Sequence, residues 1–261
     1  HFVKAFSRKA KAQLSLGQID ASVKTYTLAT IREPDNAALR KEKEEAQMAV
    51  QRLGHARKLI ASQTFPNALR LADGILVVAP LSSEASMIKM EALIGLGKAQ
   101  EAYTLSTELL QRERRAPPGL LYHRARALYL MDNLEGAMQH LRKALQDDPD
   151  NSQLARELKR VRTMDSLKAS GNAAFKAGKH QEAIEHWTEA LKQDSNAKAF
   201  NAKLYCNRAA AYSTLSQHQK AVADCNQALA LDGKYLKAYE RRAENLFALG
   251  GRWASIGPKI C

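Results

Sequence analysis

The sequence predicts an all-α protein, a solenoid of antiparallel helix pairs. Small and large apolar residues recur with a period near 34 residues along most of the chain. The chain also shows neither the alternating pattern of strands nor a Gly-rich phosphate loop, so no βαβ arrangement competes with this reading. We expect small residues to let paired helices approach closely and large apolar residues to fill the space between neighbouring pairs.

Each repeat has a common set of markers. Small residues stand near its eighth, twentieth and twenty-seventh positions, a turn near its fifteenth, and often a proline near its thirty-second. This is the pattern of the tetratricopeptide repeat. It predicts a tetratricopeptide-repeat superhelix in which the first helix of each pair lines the concave face.

Four units precede residue 151. Their markers are Ala10, Gly17, Tyr26, Ala29 and Pro34 in the first unit, Phe65, Ala68 and Pro80 in the second, Gly97, Ala102 and Leu109 in the third, and Ala125, Ala137, Ala144 and Pro149 in the fourth. Between the first two lies a charged helical stretch that is too long for one repeat helix. We expect a single extended helix there, whose residues 49–62 serve as the first helix of the second unit.

Three more units follow a charged helical linker at 151–163. Their markers are Gly171, Gly178, Ala183 and Ala190 in the fifth unit, Ala209, Ala221 and Ala228 in the sixth, and Ala243 and Gly250 in the seventh. The sixth unit follows a short insertion at 198–201. The pattern ends at Gly250, and the tail 251–261, with Gly257 and Pro258, does not predict the second helix of the seventh unit.

The composition excludes several classes of function. The chain has no run of about 18 apolar residues, which argues against a membrane span. Three scattered cysteines and dispersed histidines give no metal-ligand spacing, and no nucleophile–base set is apparent. We therefore expect no catalytic residues, no metal and no cofactor. So few and scattered cysteines fit a reducing compartment. We therefore expect the protein in the cytoplasm and, in addition, in the nucleus.

Five polar residues recur at fixed positions of the last three units. Lys168 and Asn172 are four residues apart and share one helix face, as do Lys237 and Arg241 two units later, with Asn207 on the helix between them. A carboxylate only accepts hydrogen bonds and therefore needs such donors. Arg grips an oxygen pair in a fork, Lys supplies a point charge, and Asn can hold peptide backbone. The pattern predicts a socket for a carboxylate-rich peptide end.

The segments around these residues resemble the carboxylate clamp of tetratricopeptide co-chaperones. The carrying strings are LKASGN at 167–172, YCNRAAAY at 205–212 and LKAYERRA at 236–243. The resemblance implies that the five residues bind the C-terminal Glu-Glu-Val-Asp peptides of heat-shock protein 70 and heat-shock protein 90. It also places Lys4 and Arg8 at the third-repeat positions of a partial second clamp, which we expect to bind poorly by itself.

Nearly the whole chain is similar to tetratricopeptide proteins that have two clamp arrays, further repeats and a J domain. The similarity implies that 1–36 is the last repeat of an N-terminal clamp array, 37–150 the middle repeats, 151–163 a linker and 164–250 a clamp array with an incomplete third repeat. No His-Pro-Asp tripeptide is present, so we expect this chain to carry no J domain. The tail 251–261 also departs from that pattern.

Three alternatives stay open. The net charge of +13 and basic runs such as RKAK would suit RNA, but aromatics make up only 6% of the chain and do not interleave with the basic runs, so we expect no nucleic-acid partner. The middle repeats, 49–150, could instead bind a different protein as a general scaffold. The chain could also be another clamp co-chaperone with several arrays.

Overall fold

The computed structural model describes residues 2–112 and 115–250, and helices are the regular elements of that part of the chain. Two compact units are formed, His1–Arg124 and Ala125–Cys261. The helices that begin before residue 125 are α1 (Phe2–Ser15), α2 (Ile19–Arg32), α3 (Ala37–Ala61), α4 (Phe65–Val78), α5 (Ser83–Gly95), α6 (Ala99–Arg112) and α7 (Pro118–Leu130). Those that follow are α8 (Leu134–Asp147), α9 (Ser152–Lys176), α10 (His180–Gln193), α11 (Lys198–Thr214), α12 (His218–Leu231) and α13 (Leu236–Ala248). The predicted all-α fold is confirmed.

The turn that follows the first helix of each unit adopts a left-handed backbone. Gly17, Gly97, Gly178 and Gly250 have φ between 74° and 81°, as expected of residues without a Cβ. The other three such turns carry Gln63, Asp132 and Ser216, with φ values of 57°, 62° and 56°. Turn geometry is therefore kept throughout the described chain even where glycine is absent.

Small residues bring the paired helices together. Ala183 and Ala190 of α10, and Ala221 and Ala228 of α12, have no exposed surface. At Gly171 of α9 the approach is closer still, because an added Cβ would lie 2.5 Å from Nε1 of the Trp187 indole. The close packing that the repeat pattern predicts is present.

Two helices are about twice as long as their neighbours. Both α3 and α9 have 25 residues. Each begins at an asparagine whose side chain accepts hydrogen bonds from the first turn: Asn36 from the amide of Leu39, and Asn151 from the amides of Gln153 and Leu154. The charged stretch that begins at residue 152 therefore runs without a break into the helix that carries Lys168 and Asn172.

A polar network holds the end of α7 against α9 and the loop before α11. The Tyr129 hydroxyl donates to Asp194 Oδ2 at 2.8 Å, and Arg160 Nη1 donates to the same oxygen at 3.0 Å. Burial, followed by the Asp194 carboxylate, raises the pKa of Tyr129, which keeps the phenol protonated as a donor. Asn201, in the inserted stretch before the sixth unit, donates to the Asp194 backbone oxygen at 2.7 Å. The network therefore holds α9 and the start of α11, two helices that carry residues of the candidate site, against the end of α7.

Candidate peptide-binding site

The five predicted socket residues lie on three helices of the second unit. Lys168 and Asn172 are on α9, Asn207 is on α11, and Lys237 and Arg241 are on α13. In the described structure α11 packs against α13, and Asn207 approaches Asn172. The fold thus brings the three helices into one neighbourhood.

The two asparagines form the middle of the candidate site. Asn207 Nδ2 lies 3.5 Å from Asn172 Oδ1, a long and weak contact, and both residues are half-buried. Their amide groups remain able to bond to another molecule because one such contact uses a small part of their donors and acceptors. This arrangement suits recognition of a peptide backbone.

Arg241 is held against α11 by its own guanidinium. Its Nη1 donates to the backbone oxygen of Cys206 at 2.6 Å and lies 3.0 Å from the sulfur of that residue. Because a guanidinium has five N–H donors in a rigid fork, this contact orients the group and leaves donors for a carboxylate. Cys206 directly precedes Asn207 on α11, so Arg241 contacts the residue next to one of the two asparagines.

The C-terminal part of α13 is held by a second set of contacts. Asn245, which is 1% exposed, donates to the backbone oxygen of Arg241 at 2.8 Å, and its Oδ1 lies 2.9 Å from His218 Nδ1 on α12. Lys237, one turn before Arg241, is exposed. Helix α13 is therefore bonded to α12 near its C-terminal end and presents Lys237 to solvent near its N-terminal end.

Lys168 already bonds to a carboxylate of the chain. Its Nζ lies 3.2 Å from Oδ1 of Asp132, in the turn between α7 and α8, and 5.2 Å from the centre of the Phe200 ring. Lys203 on α11 bonds to the other oxygen of the same carboxylate at 2.5 Å. Neither Asp132 nor Lys203 was among the residues predicted from the sequence. In the sequence, Asp132 carried only the signal of a turn. Lys203 could have been found from its spacing to Asn207, which equals the spacing of Lys168 to Asn172.

The cysteines near the site are buried thiols. Cys206 and Cys225 have no exposed surface, and burial, followed by the neighbouring Cys206 thiol, raises the pKa of Cys225 to about 12. Burial, with Cys206 again next in effect, also raises the pKa of Tyr235 to about 12. With their raised pKa values, Cys225 and Tyr235 are neutral near pH 7 and supply no charge to the site.

Lys4 and Arg8, the residues of the predicted partial clamp, lie on α1 in the first unit. Both are exposed, and their spacing of four residues puts them on one face of that helix. The partial clamp stays a prediction.

The tail 251–261, for which the sequence does not predict the second helix of the seventh unit, lies outside the described residues.

No group of three or more His, Cys, Asp or Glu side chains in the described part of the chain could hold a metal ion. None of the helices in that part is both long and apolar enough to cross a membrane.

The comparisons with known proteins agree with the fold. The family model for the tetratricopeptide repeat matches residues 202–235. The TPR domain of P58(IPK) superposes with a TM-score of 0.64 at 17% identity, covering 95% of this chain and 70% of that one. At this identity the likeness concerns the fold alone.

Curated relatives match almost the whole sequence. DnaJ homolog subfamily C member 7 homolog of Dictyostelium discoideum is 33% identical over 243 residues, and DnaJ homolog subfamily C member 7 of Homo sapiens is 32% identical over the same length. The match covers 93% of this chain but 45% and 49% of the two relatives, so the chain spans about half their length. The chain has the tetratricopeptide-repeat fold and is similar over 93% of its length to the DnaJ homolog subfamily C member 7 proteins.

Proposed function

We propose that α9, α11 and α13 form a clamp for the free carboxyl end of an acidic peptide. The protein would act as a co-chaperone adaptor that binds the C-terminal Glu-Glu-Val-Asp tails of heat-shock protein 70 and heat-shock protein 90. It would do so by binding alone, without catalysis or a cofactor, in the cytoplasm and also the nucleus.

One observation carries the proposal, the unbroken series of side chains across three helices. Lys168 lies one turn from Asn172, Asn172 approaches Asn207, and Arg241 bonds to the residue next to Asn207. These side chains donate hydrogen bonds, and the oxygen atoms that they contact in the structure belong to other residues of the chain. A peptide end that carries two carboxylates has the complementary chemistry.

The energy scale is consistent with a reversible adaptor. Hydrogen bonds to charged groups contribute about 1.5–3 kcal/mol each. After the free-energy cost of ordering the side chains and the peptide is deducted, four or five such bonds correspond to a binding free energy of about −8 kcal/mol. This equals a dissociation constant on the order of micromolar.

The choice of partner is supported by two likenesses. The three segments that carry the donors resemble the clamp of co-chaperones, and the chain is similar to proteins named as DnaJ homologs. Both favour a chaperone tail over other acidic peptides as the ligand.

Calorimetric titration with a peptide ending in Glu-Glu-Val-Asp tests the proposal. We expect micromolar binding of the free acid and a loss of at least about tenfold when the peptide is amidated at its C-terminus. Lys237→Ala should weaken binding by a similar factor. Lys192→Ala removes an exposed lysine that bonds to Glu189 of its own helix and should leave binding unchanged. Equal affinity for the acid and the amide would contradict the clamp.

A further inference from the structure

Asp132 is a carboxylate held by two lysines of the candidate site. Its oxygens bond to Nζ of Lys168 on α9 and to Nζ of Lys203 on α11. The Asp132 side chain is 3% exposed, whereas Lys203 is 51% exposed. An almost buried carboxylate is stable only beside cations, so the two lysines provide a carboxylate site that the chain itself occupies.

The three helices of the candidate site repeat one spacing. Lys203 stands four residues before Asn207, as Lys168 stands four before Asn172 and Lys237 four before Arg241. In an α-helix this spacing puts both members of each pair on the same face. Lys203 is therefore the α11 counterpart of the two predicted lysines.

The backbone places Asp132 in this position. It lies in the left-handed turn between α7 and α8, a position that glycine occupies in four of the seven such turns of the described chain. Aspartate is among the few residues with a side chain that tolerate this conformation. The turn is also held near α9, because the Tyr129 hydroxyl, three residues earlier, bonds to Asp194 and lies 2.9 Å from the sulfur of Met164.

We propose that Asp132 is an internal competitor for the peptide carboxylate, and that Lys203 is a further peptide-binding residue released when Asp132 is displaced. This inference rests on the proposed clamp function. With Asp132 in place, one anion neutralises part of the charge of two cations. An incoming carboxylate must displace that anion or share its lysines, and the competition lowers the affinity for the peptide.

The test uses the whole chain and the Glu-Glu-Val-Asp peptide. Asp132→Asn keeps the side-chain shape and the tolerance for a left-handed turn while removing the charge. We expect this variant to bind the free-acid peptide about threefold to thirtyfold more tightly than the unchanged protein. Asp150→Asn makes the same change of net charge at an exposed residue in the loop before α9 and should bind as the unchanged protein does.

A second substitution identifies the released cation. Lys203→Ala should weaken binding more in the Asp132→Asn background than in the unchanged protein, where Asp132 holds that lysine. Circular dichroism of each variant checks that the helices are retained.

The outcomes separate the two hypotheses. Peptide binding by the unchanged protein with equal or weaker binding by Asp132→Asn would overturn the competitor and leave the clamp standing. Absence of binding in the unchanged protein and in every variant would contradict the clamp and, with it, this inference.

Discussion

Gly171 of α9 lies against the indole ring of Trp187 on α10, with no room between them for a methyl group. An added Cβ would approach Nε1 of the ring to 2.5 Å, and Trp187 is 2% exposed. Since the ring is rigid and surrounded, a side chain at position 171 must push α9 and α10 apart. The same helix carries Lys168 and Asn172, so this contact links the core to the candidate site.

We expect Gly171→Ala to destabilise the second unit by about 1–3 kcal/mol, as overpacking of a core does. Thermal unfolding followed by circular dichroism measures the change. Gly54→Ala is the control, since a Cβ there meets nothing within 4 Å and alanine favours a helix interior. A Gly171→Ala protein as stable as the Gly54→Ala protein would contradict the packing described.

The pair of Arg208 and Asp224 gives a prediction for α11 and α12. Arg208 donates to both oxygens of Asp224 at 2.7 Å, and also to the Thr188 hydroxyl at 2.8 Å. The side chains are 14% and 7% exposed. Asp224→Asn leaves the guanidinium with no anion and should cost about 3 kcal/mol in the free energy of unfolding.

Denaturant unfolding measures this loss, and an exposed pair supplies the comparison. Glu182→Gln breaks the bond to Lys179, in which both groups are largely exposed, and should change stability by less than about 1 kcal/mol. Similar losses for the two variants would show that the bonds between Arg208 and Asp224 contribute no more than a surface ion pair.

Glu42 makes the first unit sensitive to acid. Burial acts to raise the pKa of this carboxyl, but the bonds from Lys11 and Ser7 outweigh it and lower the pKa. A carboxyl with a lowered pKa in the folded state adds stability above its unfolded pKa of about 4.3, and this stability is lost as the pH falls through the folded value.

Glu42→Gln should therefore lower stability at pH 7 by about 1 kcal/mol and have little effect near pH 2. Unfolding measured across this pH range gives the difference, with Glu44→Gln, an exposed neighbour on α3, as the control. A Glu42→Gln effect that is the same at both pH values would contradict the role of the charge.

The repeat period predicted much of the fold because its markers act locally. Gly17, Gly97, Gly178 and Gly250 were expected at turns, and each has the positive φ that a turn of this kind requires. The turns at Gln63 and Ser216 had no such signal. There the neighbouring helices impose a conformation that the residue itself disfavours.

The contacts within the candidate site were less predictable than the helices that carry it. A shared helix face follows from a spacing of four residues, so Lys168 with Asn172 could be paired from sequence. The bond between Lys168 and Asp132 joins positions 36 residues apart, and it depends on α9 being one uninterrupted helix that passes the end of α7. Nothing local to either residue encodes that approach.

Side-chain NMR of the asparagines tests the central claim most directly. The protein is labelled so that the amide groups of Asn172, Asn207 and Asn226 are observed while the free-acid Glu-Glu-Val-Asp peptide is added. The clamp predicts saturable shifts at Asn172 and Asn207, and none at Asn226, which is exposed on α12 and bonds to Arg242. Peptide binding that leaves Asn172 and Asn207 unshifted would place the ligand elsewhere and contradict the account.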